Sequence, residues 1–350
     1  MNTIACDDTI QWLLGEDNPP VRYLTLMHVL GRDPESPEAR EAKSRLMDYE
    51  VTREILAHGA EFWHPEGPAF RASYQKYRGR FWQMIFLGQF LADGHDPRIA
   101  SGVESILEAR EFVDRRGLQC LTANILCAAM RLGFADHAIV VEEVEALAQR
   151  IVEADGIACE AVGYSLLEHC YMCIPKLIPC FAEIPAAERS ETVSAAIELL
   201  AGKLIDNQVH VYVSAHRKAW QIILAEAPKK GDLPEGQTVK AWIADRKRRF
   251  LEENGYGTRE PKPGWLKFGF PLNYNSDILE ALSALARIDA PMSPTLEEPL
   301  RIVRSKMSEE DTWTLDNTLN GKMWADVEQK GQPSKWLTLT ALRVLAHFET

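Results

Sequence analysis

Short and long links between helix-patterned stretches alternate strictly along this chain, and few folds accommodate that rhythm. The stretches come in pairs. Within a pair the link is a tight Gly/Pro/Asp turn, at residues 31–34, 93–97, 133–136, 184–185 and 288–291. Between pairs the links are often long and rich in aromatic residues, Cys, His and Asn. Pairs laid side by side would put every tight turn on one rim and every long link on the other. A long loop costs entropy to order and is usually kept where a protein acts. Function is therefore expected on the long-link rim.

The two members of a pair differ in polarity. Residues 21–30, 81–91, 121–132, 166–182, 278–288 and 336–348 are apolar on most faces, which predicts helices buried all round. Residues 36–58, 98–111, 138–154, 187–203 and 296–306 are amphipathic or charged, and 8–14 can serve as the sixth partner. Pro19-Pro20 and Ser36-Pro37-Glu38 are good helix starts. Pro175 and Pro179 are expected to kink or break their helix. No stretch sustains strand alternation, so the predicted fold class is all-α. An apolar inner ring inside an amphipathic outer ring is a closed (α/α)6 barrel, here a single domain over residues 1–350. A spacing near forty residues would also suit an open solenoid; uneven spacing and complementary ends favour the ring. The inner helices would then begin on the long-link rim. The longest link, about 205–272, must contain helices of its own, such as 238–254, expected to cap the barrel mouth.

Composition narrows the function classes. At 350 residues and 46% hydrophobic, the chain can bury a large core. A net charge of −12 argues against a nucleic-acid partner. The basic run Arg246-Lys247-Arg248-Arg249 has Asp245, Glu252 and Glu253 beside it and reads as a solvated helix face. Residues 1–15 lack a basic region followed by an apolar core, so no signal peptide is expected. No apolar run is long enough for integral membrane association; even 170–184 carries Lys176 and Glu183. Seven cysteines, an odd number in a large chain, fit a reducing cytoplasm with thiols free, buried or metal-bound. There is no phosphate-cradling Gly-rich loop, no Gly-x-Ser-x-Gly elbow and no His-Glu-x-x-His pair, and no nucleotide cofactor is predicted.

Three stretches carry a resemblance to a known family: Cys120-Leu121-Thr122-Ala123-Asn124; residues 263–271 with Tyr274 and Asp277 after them; and Asn320-Gly321-Lys322 through residues 331–336 and the final helix. With Asp155-Gly156 before an inner helix, they resemble the terpenoid-cyclase and protein-prenyltransferase toroid, and most closely bacterial squalene-cyclase-like or prenyltransferase-like proteins. The resemblance spans nearly the whole chain and implies the toroid fold. The Asp-x-Asp-Asp acid motif and Gln-x-x-x-Gly-x-Trp repeats of squalene-type cyclases are not found, nor is the Asp, Cys and His zinc set of prenyltransferases.

Cysteines are the sharpest chemical signal. Cys120 opens an inner helix, Cys159 lies in the next long link, and Cys170 and Cys173 fall near the start of the following inner helix, at i, i+3 on one side. Neighbouring helix starts can supply three or four thiolates to zinc or another thiophilic metal. With Cys120, Cys159 and Cys170 as ligands, the fourth would be Cys173, His169 or His216. Four protein ligands make a closed structural site; three leave an open position. Equally, free Cys is a small buried hydrophobe, as expected for Cys127 and Cys180.

A second group is polar and aromatic. His216 is the first choice for general acid or base, because only His titrates near neutrality unaided. Asp277, Tyr274 and Tyr77 are further catalytic candidates, with Asp277 also readable as a helix-terminus charge. Trp82, Arg80, Tyr164, Asn275, Trp336 and Asp326 are candidates for substrate contact. Asn273 or Asn275 can be an N-cap, and Trp336 can simply pack the barrel. Polar groups converging on an apolar pocket are the default ligand site. The expected function is an enzyme acting on an apolar small molecule in the central cavity, by a lyase, isomerase or transferase step, with a Cys-bound metal at the rim as an option. The alternative is a binding module that recognises a peptide or partner protein.

Overall fold

The structure is a computed structural model, and it describes residues 5–59, 63, 70–113, 119–157, 169–213, 222–223, 225–254 and 259–349. Fifteen α-helices occur among them, beside one ribbon of two three-residue strands. In chain order they are α1 (Asp7–Leu13), α2 (Pro19–His28), α3 (Pro37–Ser44), α4 (Glu50–Leu56), α5 (Phe70–Tyr74), α6 (Arg80–Gln89), α7 (Pro97–Ala109), α8 (Gln119–Ala129) and α9 (Ala138–Glu153). Then follow α10 (Ile174–Ala182), α11 (Glu191–Asp206), α12 (Val239–Asn254), α13 (Ile278–Ala286), α14 (Glu297–Ser305) and α15 (Lys335–Phe348). The chain is all-α in class.

Local chemistry places the starts. Asn18, Ser36, Ser190, Asp277 and Ser334 each cap their helix by accepting a backbone N–H two or three residues on. Pro19 and Pro37 occupy first-turn positions, where their missing N–H costs nothing. Pro175 is accommodated in the same way, so it neither kinks nor breaks α10; Pro179 lies inside that helix.

The polarity contrast has its structural counterpart. Every residue of α6 from Arg80 to Gly88 is buried. The amphipathic α9 instead buries one stripe, Val140, Val144, Leu147, Ala148 and Ile151. The six apolar helices touch in succession: α6 on α8, α8 on α10, α10 on α13, α13 on α15, and α15 on α2. Between α2 and α6 lies the segment around α4, with Tyr49 set edge-on to Phe90 at 5.3 Å. Of the amphipathic helices, α3 packs on α2, α7 on α6, α9 on α8, α11 on α10 and α14 on α13. Helix α1 touches α15 and α2. At the α6–α8 contact the backbones approach so closely that a Cβ on Gly88 would lie 2.8 Å from Ala128 Cα.

Three expectations need correction. Residues 36–58 are not one helix: α3 ends at Ser44, a 3-10 turn follows, and extended Tyr49 (ψ 126°) begins α4 and turns its ring into the core. Within the apolar stretch 166–182, residues 169–173 are not helical and the helix begins at Ile174; residues 158–168 lie outside the described residues. In the long link, α12 is present, and antiparallel strands β1 (Val211–Val213) and β2 (Arg259–Pro261) bound it. Three residues per strand are too few to leave an alternation signal in the sequence.

Candidate active site in the central cavity

All six apolar helices contribute side chains to one cavity of about 670 Å3. That volume falls within the range of small-molecule sites, roughly 300–1,000 Å3. Leu24, Leu91, Pro179, Ala182, Leu279 and Leu339 form apolar wall; the charged groups fall into two sets.

At the end where α10 and α13 begin, Lys176 is buried, with a side chain 3% exposed. Its ammonium donates to Asn275 O at 2.7 Å and Ser276 Oγ at 3.2 Å, and pairs with Glu280 Oε1. Glu280 Oε2 is buried without a hydrogen-bond partner. Burial raises the Glu280 carboxyl above its ordinary value, and Lys176 only partly opposes that. Asp277 has both oxygens engaged: Oδ1 accepts from Glu280 N at 2.8 Å and Oδ2 from Gly269 N at 2.9 Å. Burial first, and then Glu280, push Asp277 up to about 7.

At the other end, Arg131 Nε and Arg287 Nη2 both donate to Glu183 Oε1, at 2.6 and 2.9 Å. Burial alone would raise Glu183, but the two arginines outweigh it and hold the carboxyl low. Arg343 and His28 line the same end. Burial, with Arg343 and Arg287 nearby, lowers His28 to about 4, so it is neutral.

The expected site residues separate into groups. Tyr77, Trp82 and Tyr274 do come together: Trp82 meets Tyr77 at 5.1 Å and Tyr274 at 4.9 Å, both edge-on, and Trp82 Nε1 donates to Tyr74 O at 2.6 Å. Lys76 lies over both tyrosine rings. Desolvation raises both Tyr77 and Tyr274, which keeps their phenols neutral. Trp336 lines the cavity and stacks on Phe270, with centroids 4.3 Å apart. Asp277 lines it too, in the capping role described.

Arg80 is instead a scaffold residue. It is 3% exposed, and its guanidinium donates to Ser73 Oγ, Trp63 O, Ser105 Oγ and Glu111 Oε2. Asn275 is exposed and offers Lys176 its backbone carbonyl; the helix cap there is Asp277, not Asn273 or Asn275. Asp326 accepts from Gly321 N in an exposed turn.

Cys170 and Cys173 are not on one helix face: Cys173 N donates to Cys170 O at 2.8 Å in a turn, and Cys173 is the residue before α10. Among the described residues no group of three or more His, Cys, Asp or Glu side chains is placed to hold a metal, so Cys120, Cys170, Cys173 and His169 do not form such a set with one another. The His169 ring packs on Gly156, whose φ of 128° and 2.8 Å approach leave no room for a Cβ. Cys159, Tyr164 and His216 lie outside the described residues.

Lys176, Glu183, Glu280, Arg131, Arg287 and Arg343 were not among the expected site residues. Their signal was a seven-residue spacing on apolar helices: Asn124 and Arg131, Lys176 and Glu183, Glu280 and Arg287, Trp336 and Arg343. Two helical turns put each pair on one face.

No family model, curated protein or solved structure matches this chain.

Proposed function

We propose that the chain is a closed (α/α)6 toroid of the terpenoid-cyclase and prenyltransferase type, and an enzyme that acts on an apolar small molecule inside its ring. One observation carries this reading: a single cavity is lined by side chains from all six apolar helices, the half-buried Glu280 among them. The chemistry that fits is proton transfer, as in an isomerase or lyase. Glu280, whose carboxyl burial holds above its ordinary value, gives a proton to an unsaturated carbon or a leaving group. It takes a proton back from the substrate in the product-forming step, so no co-reactant is needed. Lys176 holds Oε1 and stabilises the carboxylate between the two transfers. Trp336, stacked on Phe270, offers an aromatic wall to charge that develops on the substrate. A peptide-binding module would want a shallow groove; lining residues two turns apart on four helices support an enclosed ligand instead.

The test is incubation with a cellular lipid extract followed by mass spectrometry of the mixture. The wild type should consume one species and form an isomer or fragment of it. Glu280→Gln should leave that species untouched, and Ser283→Phe, which fills the cavity, should do the same. A wild type without effect, or E280Q turning over at the wild-type rate, would contradict the proposal.

A further inference from the structure

The two ends of the cavity differ in charge balance. Seven residues of α-helix rise about 10 Å, which sets the distance between them. Where the helices start, Lys176 and Glu280 cancel. Two turns further along, Arg131, Arg287 and Arg343 have Glu183 as their one negative charge among the lining residues, because His28 is neutral. Cys127, also lining that end, keeps its proton, since burial and Glu183 push the thiol up to about 11. Two positive charges are left over, in a chain whose net charge is −12. Glu183 Oε1 already serves Arg131 and Arg287. Arg343 is half-buried, lines the cavity and makes no hydrogen bond or ion pair with a described residue. A desolvated guanidinium costs several kcal/mol unless an anion meets it, and its planar fork matches two oxygens of one oxyanion.

We propose that this end of the cavity binds the carboxylate or phosphate head of an otherwise apolar ligand, with Arg343 donating to two of its oxygens and the ligand's body directed toward Glu280. The inference rests on the cavity being the ligand site and specifies the substrate class and its orientation. Arg131 and Arg287 supply the surrounding positive potential, and Glu183 holds both in place.

Titration calorimetry with octanoate, octyl phosphate and 1-octanol tests it. Both anions should bind the wild type more tightly than the alcohol, and the tighter of the two names the head group. Arg343→Gln should weaken the anions on the order of tenfold to a hundredfold, the range of a charge-assisted hydrogen bond, and leave octanol unchanged. Arg343→Lys should recover part of that loss. Glu183→Gln, which removes the one negative charge, should tighten the anions, an opposite sign that a merely structural role would not give. Octanol bound as tightly as the anions, with R343Q without effect, would overturn the anion site and leave the cavity standing as the ligand site. Failure of all three ligands to bind would overturn both.

Discussion

Replacing Glu111 by Gln would strand the Arg80 guanidinium in the core. Arg80 is 3% exposed and Glu111 5% exposed, with Nη2 and Oε2 3.4 Å apart. At that separation, and with an effective dielectric constant near 20, the Coulomb attraction is roughly 5 kcal/mol. The three remaining acceptors, Ser73 Oγ, Trp63 O and Ser105 Oγ, are neutral and cannot replace it. Gln keeps the shape and one acceptor, so the loss should approach that for breaking a buried pair, about 3–5 kcal/mol. Urea unfolding of wild type and E111Q, compared at equal slope, measures it. The double variant Arg80→Met with Glu111→Leu should cost less than E111Q alone, because no charge is left buried. A loss below about 1 kcal/mol for E111Q, or a double variant costing the sum of both singles, would refute the assignment of Arg80 to the scaffold.

Asp277 makes stability pH-dependent. Its folded value, about 7, lies above its ordinary 3.8, so the folded state holds the extra proton between those values. Stability from this group is full below pH 4 and is lost as pH rises through 7, on the order of 4 kcal/mol in all. Asp277→Asn should flatten that part of the pH–stability curve; an unchanged slope would contradict the burial argument. Gly88→Ala should destabilise by about 1–3 kcal/mol despite better helix propensity, because its methyl meets Ala128 backbone at 2.8 Å; thermal unfolding decides. Lys176→Met removes the cation that lowers Glu280, so the basic limb of the pH–rate profile should move to higher pH; an unmoved limb would exclude Glu280 as the titrating group.

The helix pairs were legible because burial on all faces and burial on one stripe leave different patterns. Phe81 to Leu87 is nearly continuous in apolar residues, whereas Val140, Val144, Leu147 and Ile151 recur at helical spacing. The break at Tyr49 left no such mark, since one extended residue does not disturb a charged helical pattern. Rim chemistry was read only in part. Tyr77, Trp82 and Tyr274 meet as three aromatic residues near helix starts would, but Arg80 looks the same in sequence whether it faces a ligand or Glu111. The other charged set carries no long-link signal. Arg131 and Arg287 sit just past helix C-termini, where a basic residue is ordinarily explained by the helix dipole, and Arg343 lies within α15. Only packing shows that they converge on one cavity.

The cavity as the ligand site is most directly tested by calorimetry of 1-octanol binding to the wild type and to Ser283→Phe. Ser283 lines the cavity one turn from Glu280 and is half-buried, so a phenyl ring there occupies the space a ligand would take without entering the packed core. One saturable site on the wild type, lost in S283F while its unfolding midpoint stays put, is the expected result. Equal octanol binding to both proteins would place the ligand elsewhere and contradict the cavity as the ligand site.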